Sequence, residues 1–279
     1  MLLNIHHHTH YRYQVPASYS LQTLLLWPRT DGGQRIHHWR LELPGRRWVQ
    51  QDAYGNTLHI SSLVDKHAEI DIVASGQVET PDERGLLIPH DSRVPAMVFS
   101  QPTALTAADM AITHLSRQLL GSPEDSTLCD QSLLEALCEC VHDTITFTQG
   151  VTDVSATAAE VLAHKQGVCQ DMTHVFLALC RARGIAARYV SGYLLTDATH
   201  AASHAWAEVW MPDALRGHGG WLGFDVTHNR LTGPELCRLA VGRDYADTCP
   251  MRGIHMGGVG ESMQVQVAVR DGLDMMPDQ

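Results

Sequence analysis

The chain has 279 residues, 44% hydrophobic and 18% charged, with a formal net charge of −11. That length is enough for one large domain or two ordinary ones, and the composition is that of a globular protein. The acidic balance argues against a nucleic-acid partner, which needs a basic patch, and no apolar run reaches the ~18 residues of a membrane span.

The opening residues, Met1-Leu2-Leu3-Asn4-Ile5-His6, show no basic segment followed by an apolar one, so a cytoplasmic protein is expected. Seven cysteines, an odd number with no Cys-x-x-Cys pair, argue against a disulfide framework or a zinc knuckle. Lys66 and Lys165 are the two lysines. Codon bias explains that scarcity, and so would an enzyme that joins acyl groups to amines and must spare itself.

Eighteen histidines invite a metal reading, most of all His6, His7, His8 and His10. Yet residues 4–13 alternate well enough to form a strand with 6, 8 and 10 on one face. A structural or solvated strand is the expectation there. His37-His38 and the scattered others show no ligand spacing, so no metal and no cofactor are expected.

Extended patterns continue through Leu21–Leu26, Ile36–Leu43 and Ala68–Ala74, with a turn at Asp52-Ala53-Tyr54-Gly55-Asn56. Short strands and turns predict an N-terminal β-sandwich-like domain over residues 1–100. Helical patterns then follow from Thr106, with Ala111, Leu115 and Leu119 in register, over Ser132–Val141, and over Thr157–Leu162. Thr157 and Glu160 fit a capping box in the third. Helices followed by strands make residues 101–279 an α+β core.

Gly167 ends a loop, and from Cys169 the pattern turns helical: Met172, Val175, Phe176 and Leu179 form an apolar stripe, and Gly184 is a natural terminator. Cys169 thus falls in a first helical turn, where the helix dipole and free N–H groups favour a thiolate and can hold an oxyanion. A strand over Ile185–Leu195, a small-residue loop over Asp197–Ser203 and a second strand from His204 come next. Pro212–Gly220 turns back into Trp221–Asp225. Adjacent antiparallel strands can set His204 beside Asp225, with Asp225 fixing the imidazole tautomer and the other ring nitrogen reaching the sulfur. Taken singly, each residue has a plain structural reading: a packed cysteine, a satisfied strand histidine, an aspartate closing a turn.

Gly167-Val168-Cys169-Gln170-Asp171-Met172-Thr173-His174, Cys180–Tyr193 and Ser203-His204-Ala205-Trp206-Ala207-Glu208-Val209 resemble a bacterial transglutaminase-like protein. Trp221–Asn229 and Ala240–Tyr245 are similar to its later blocks, and His8-Thr9-His10-Tyr11 and Trp39 to its β-rich N-terminal region. The resemblance spans nearly the whole chain. It implies a papain-like, transglutaminase-like core with Cys169 as nucleophile, His204 as base and Asp225 as orienter. Met172 replaces an expected aromatic residue and Val226 an expected proline, and neither change removes a triad member. The absence of an Asp-x-Asp-x-Asp-Gly loop sets the chain apart from the calcium-dependent type.

The resemblance implies hydrolysis of an amide or (iso)peptide bond through a thioester. Acyl transfer to an amine, or a non-catalytic peptide-binding module, are the alternatives. The expected partner is a peptide or amide-bearing substrate. Gln170, Trp206 and Arg243 are candidate substrate-binding residues. For Trp206 the alternative is a core aromatic, and for Arg243 an ion pair with Asp244 or Asp247.

Overall fold

The computed structural model describes residues 1–90, 93–121, 130–196, 203–212 and 219–272. In chain order the N-terminal strands are β1 (Leu2–Leu24), β2 (Arg35–Glu42), β3 (Arg46–Gln51), β4 (Thr57–Leu63), β5 (His67–Glu79) and β6 (Ile88–Pro89). The helical part holds α1 (Met110–Leu120), α2 (Gln131–Thr144), β7 (Thr146–Phe147), α3 (Ala158–His164), β8 (Gln166–Gly167) and α4 (Cys169–Ala182). Then come β9 (Ala187–Leu194), β10 (Ser203–Met211), β11 (Gly220–Asp225), β12 (Arg230–Leu231), β13 (Leu236–Gly242), α5 (Tyr245–Thr248) and β14 (Met251–Asp271).

The fold is α+β, with two curled sheets. The first sheet runs β2-β5-β1-β4-β3, with β14 on the other side of β1. Strand β1 is long enough to pair β5 through Leu2–Arg12 and β4 through Ser20–Leu24, and this makes the sheet curl. Alternation puts Leu3, Ile5, His7, Thr9, Tyr11 and Tyr13 inside, so of the histidine tract His7 is core while His6, His8 and His10 lie on the other face. Strand β14 falls within 101–279 by sequence yet joins the sheet of β1, from Leu3↔Asp271 to Leu24↔Met251. The N-terminal and C-terminal segments therefore share one sheet.

The second sheet runs β12-β11-β10-β9-β13. Ala205, Ala207 and Val209 of β10 and Leu222 and Phe224 of β11 join one core with α1–α4. Helix α4 is buried nearly all round, because helices flank it on one side and the sheet on the other. Beyond the stripe of Met172, Val175, Phe176 and Leu179, the residues Leu177, Ala178 and Cys180 are also buried. Full burial of each large apolar side chain stabilises the fold by roughly 1.5–3 kcal/mol. Helix α1 starts later than its sequence pattern suggests. Asp109 is its N-cap, accepting from the Ile112 N–H at 2.8 Å, and the buried row is Ile112, Ser116 and Leu120. The Thr157–Glu160 capping box is formed in α3. Of the expected loops, 197–202 and 213–218 lie outside the described residues.

Candidate active site

Helix α4 begins at Cys169 with Val168 as its N-cap. Valine has no side-chain acceptor, so half of a capping box operates: the Asp171 carboxylate accepts from the Val168 N–H (2.8 Å) and from the Thr152 hydroxyl (2.7 Å). Gly167 permits this contact, since a Cβ there would lie 2.7 Å from Asp171 Cβ. The parallel pair β7–β8 and the Thr148 N–H to Gly167 carbonyl bond bring residues 148–156 against the start of α4. Phe147 of β7 and Val151 and Val154 of this segment are exposed apolar residues.

His204 lies near the start of β10, and Asp225 ends β11. The register Ala207↔Phe224 sets Asp225 beside Trp206 and one diagonal step from His204. His204 Nε2 is 2.8 Å from Asp225 Oδ1, both side chains being almost fully buried. The other partner of the imidazole is the Cys169 thiol, which leaves Nδ1 for the sulfur. The structure thus brings Cys169, His204 and Asp225 together. Burial pulls the His204 pKa down, but the bonds to Asp225 and Cys169 outweigh it and raise it to about 9. Burial alone would raise the Asp225 pKa; the bonds from His204 and His228 hold it well below the usual carboxylate range instead.

His228 was not singled out by sequence reasoning. Its Nδ1 lies 2.8 Å from Asp225 Oδ2, and Arg230 Nε donates to the same oxygen at 3.4 Å. Asp225 is therefore held by three side chains. The signal in the sequence was faint, a histidine three residues past the aspartate, and a short 3-10 turn over Val226–His228 produces the contact.

The three candidate binding residues have partners within the fold. Gln170 donates to the Val154 carbonyl at 3.4 Å and ties the flanking segment to the helix. Trp206 is 1% exposed and packs with Val190, Leu194, Leu236 and Val241, the position of a core aromatic. Arg243 Nε donates to Asp247 Oδ2 (3.0 Å) and the Tyr54 hydroxyl (3.1 Å), the ion-pair alternative realised. Trp221 is likewise buried, with the Arg188 guanidinium 4.3 Å from its ring centre. Among the described residues, no helix is long and apolar enough to cross a membrane.

A buried cation beside a sulfur, with an acceptor fixing the cation from behind, can sustain a thiolate nucleophile and return a proton to a leaving group. Residues 113–226 match the Transglutaminase-like superfamily, and residues 3–79 match the Bacterial transglutaminase-like N-terminal region. An uncharacterized protein of Mycobacterium tuberculosis is 32% identical over 269 residues, covering 89% of this chain and 85% of that relative. One from Mycobacterium leprae is 27% identical over 288 residues, covering 96% and 98%. The fold is similar to the crystal structure of a candidate cysteine protease from Cytophaga hutchinsonii. There the TM-score is 0.74 and the identity 22%, with 99% of this chain and 93% of that one covered.

Proposed function

We propose, since the chain belongs to the transglutaminase-like superfamily, that it is a thiol-dependent enzyme that hydrolyses an amide or isopeptide bond in a peptide substrate. The observation that supports this reading is the single imidazole bonded to both the Cys169 thiol and Asp225.

His204 is protonated up to about pH 9, and an imidazolium beside a sulfur favours the thiolate as its attacking form. The sulfur attacks the amide carbonyl carbon, and the electron pair moves to the oxygen. First-turn N–H groups of α4 face that oxyanion, in a site where the helix dipole favours negative charge. As the tetrahedral species collapses, the C–N bond breaks and the Nδ1 proton of His204 goes to the leaving amine. Nε2–H stays on Asp225, which keeps the tautomer correct. A water then gives a proton to Nδ1 and its oxygen to the thioester carbonyl, and the C–S bond breaks with its electron pair returning to the Cys169 sulfur as the carboxylic acid leaves. Phe147, Val151 and Val154 offer an apolar wall for the acyl side of the substrate.

The test is mass spectrometry of a peptide and isopeptide library incubated with wild type and Cys169→Ala, with and without an excess of a simple amine. Cleaved or deamidated products that require Cys169 support the proposal. Amine-bearing products would make the enzyme a transferase. Products that form equally with Cys169→Ala would remove the thiol mechanism altogether.

A further inference from the structure

The alternation of β1 sends His7 and Thr9 inward and leaves His6, His8 and His10 on the outer face of the first sheet. The sequence shows no third ligand near this row. Strand pairing supplies one: the register His10↔Asp71 puts an aspartate of β5 on the same face. His8 Nε2 lies 2.7 Å from Asp71 Oδ1, and His10 Nδ1 lies 2.9 Å from the same oxygen. Three ligand atoms from two strands so converge within 4.8 Å of one another. Arg12, two residues further along the row, is paired with Glu69 at 3.8 Å.

We propose that His8, His10 and Asp71 form a surface site for one divalent first-row transition ion of the zinc class. Two imidazoles and one carboxylate suit such an ion, and water completes its coordination. Zn–N and Zn–O bonds of about 2.0–2.2 Å need ligand atoms roughly 3.3 Å apart, so each bond to Asp71 opens by about half an ångström. The protons now on His8 Nε2 and His10 Nδ1 move to the opposite ring nitrogens, a tautomer change with no net loss of charge from neutral rings. Strand β1 is paired on both sides at His8 and His10, by β5 and β14, and Asp71 is paired with His10, so the two histidines stand on a central strand. The site is separate from Cys169 and His204 and does not depend on the proposed reaction.

The test is calorimetric titration of Zn²⁺ into the full chain at pH 7.5, with accessible cysteines first blocked by iodoacetamide. One ion per chain is expected. His10→Ala and Asp71→Asn, each checked for folding by circular dichroism, should weaken binding at least ~10-fold. His204→Ala, which removes the His204–Asp225–His228 cluster, should bind as wild type does. No saturable binding up to about 1 mM overturns the site. Wild-type affinity in either folded variant does so too, leaving His8 and His10 as hydrogen-bond donors to Asp71 and nothing more.

Discussion

At the residue scale, the properties of Cys169 depend on what the imidazole does. His204 binds its proton more tightly in the folded chain than in the unfolded one. The stabilisation of the imidazolium is therefore full below about pH 6.5 and is lost as pH rises through about 9. Two measurements follow from this sign. The kcat/KM profile should show an alkaline limb near pH 9, and iodoacetamide at pH 6 should label Cys169 ahead of the other described cysteines. Cys138, Cys180 and Cys237 are buried, and burial pushes the Cys138 thiol up to about 12, so they should stay unlabelled. Uniformly slow labelling would contradict the ion pair. Asp225→Asn keeps the shape but can hold the wrong tautomer, and should lower kcat by about 10³–10⁴-fold. His228→Ala removes one charge-assisted bond while His204 and Arg230 still hold Asp225, so its loss should be much smaller. Equal losses in the two variants would give His228 a larger part than bracing the carboxylate.

At the element scale, the start of α4 is set by contacts its own residues could not announce. Gly167, Val168 and Cys169 were legible as a loop entering a helix, because the apolar stripe and Gly184 mark both ends. Gly184 does sit in the left-handed region, at φ 78. What was not legible is why position 167 is glycine, since the reason is the Asp171 side chain folded back onto it. Gly167→Ala should push that carboxylate off the Val168 N–H and cost about 1–3 kcal/mol, read as a lower midpoint in urea. An unchanged midpoint would mean that the helix start relaxes freely. Arg181 lies near the end of α4. In the fold it is 5% exposed and donates to the carbonyls of Phe99 (3.0 Å) and Ala187 (2.8 Å) and to the Thr106 hydroxyl, fastening α4 to the chain before α1 and to β9. On the flanking segment, Val154→Asp should raise KM for peptide substrates and leave kcat nearly unchanged, since it alters ground-state binding away from the reacting atoms. A fall in kcat alone would put this residue closer to the chemistry.

At the scale of the whole molecule, charge is buried where the two sheets meet. Glu208 of β10 accepts from Arg188 Nε (2.7 Å) and Arg238 Nη2 (3.1 Å); Arg238 also pairs with Asp31, and Arg29 donates to Asp31 at 3.1 Å. Asn56, from the turn legible in the sequence, is bonded to Arg29 and to the backbone of Val241 in β13. Breaking such a network from one side leaves uncompensated charge. Glu208→Gln should therefore destabilise the fold by about 3–5 kcal/mol, a large part of a typical total. A thermal midpoint within a degree or two of wild type would show the network to be dispensable. Acid should unfold the protein for a separate reason. Burial lowers the pKa of His7 to about 4 and that of His174 to about 3, so both are neutral in the fold. Their contribution is full above about pH 6.5 and is lost as pH falls toward those values, on the order of 3 kcal/mol for His7. Replacing His7 by Gln should flatten the fall of the melting temperature between pH 6.5 and 4; an unaltered slope would remove His7 from the account.

The sequence by itself determined the local things: helix and strand periods, the capping box of α3, the turn at Asp52–Asn56, and the order cysteine, histidine, aspartate on helix, strand and strand. These depend on spacing along the chain, which period and capping chemistry encode within a few residues. Tertiary structure alone decided the rest. It put His228 and Arg230 on Asp225, made Trp206 core and paired Arg243 with Asp247. It buried Arg188 and Glu208 as partners, returned β14 to the sheet of β1, and brought Asp71 to His8 and His10. Each of these contacts joins residues through a turn geometry or a strand register. Register between strands distant in sequence is set by how whole faces pack, which no local window of the chain contains.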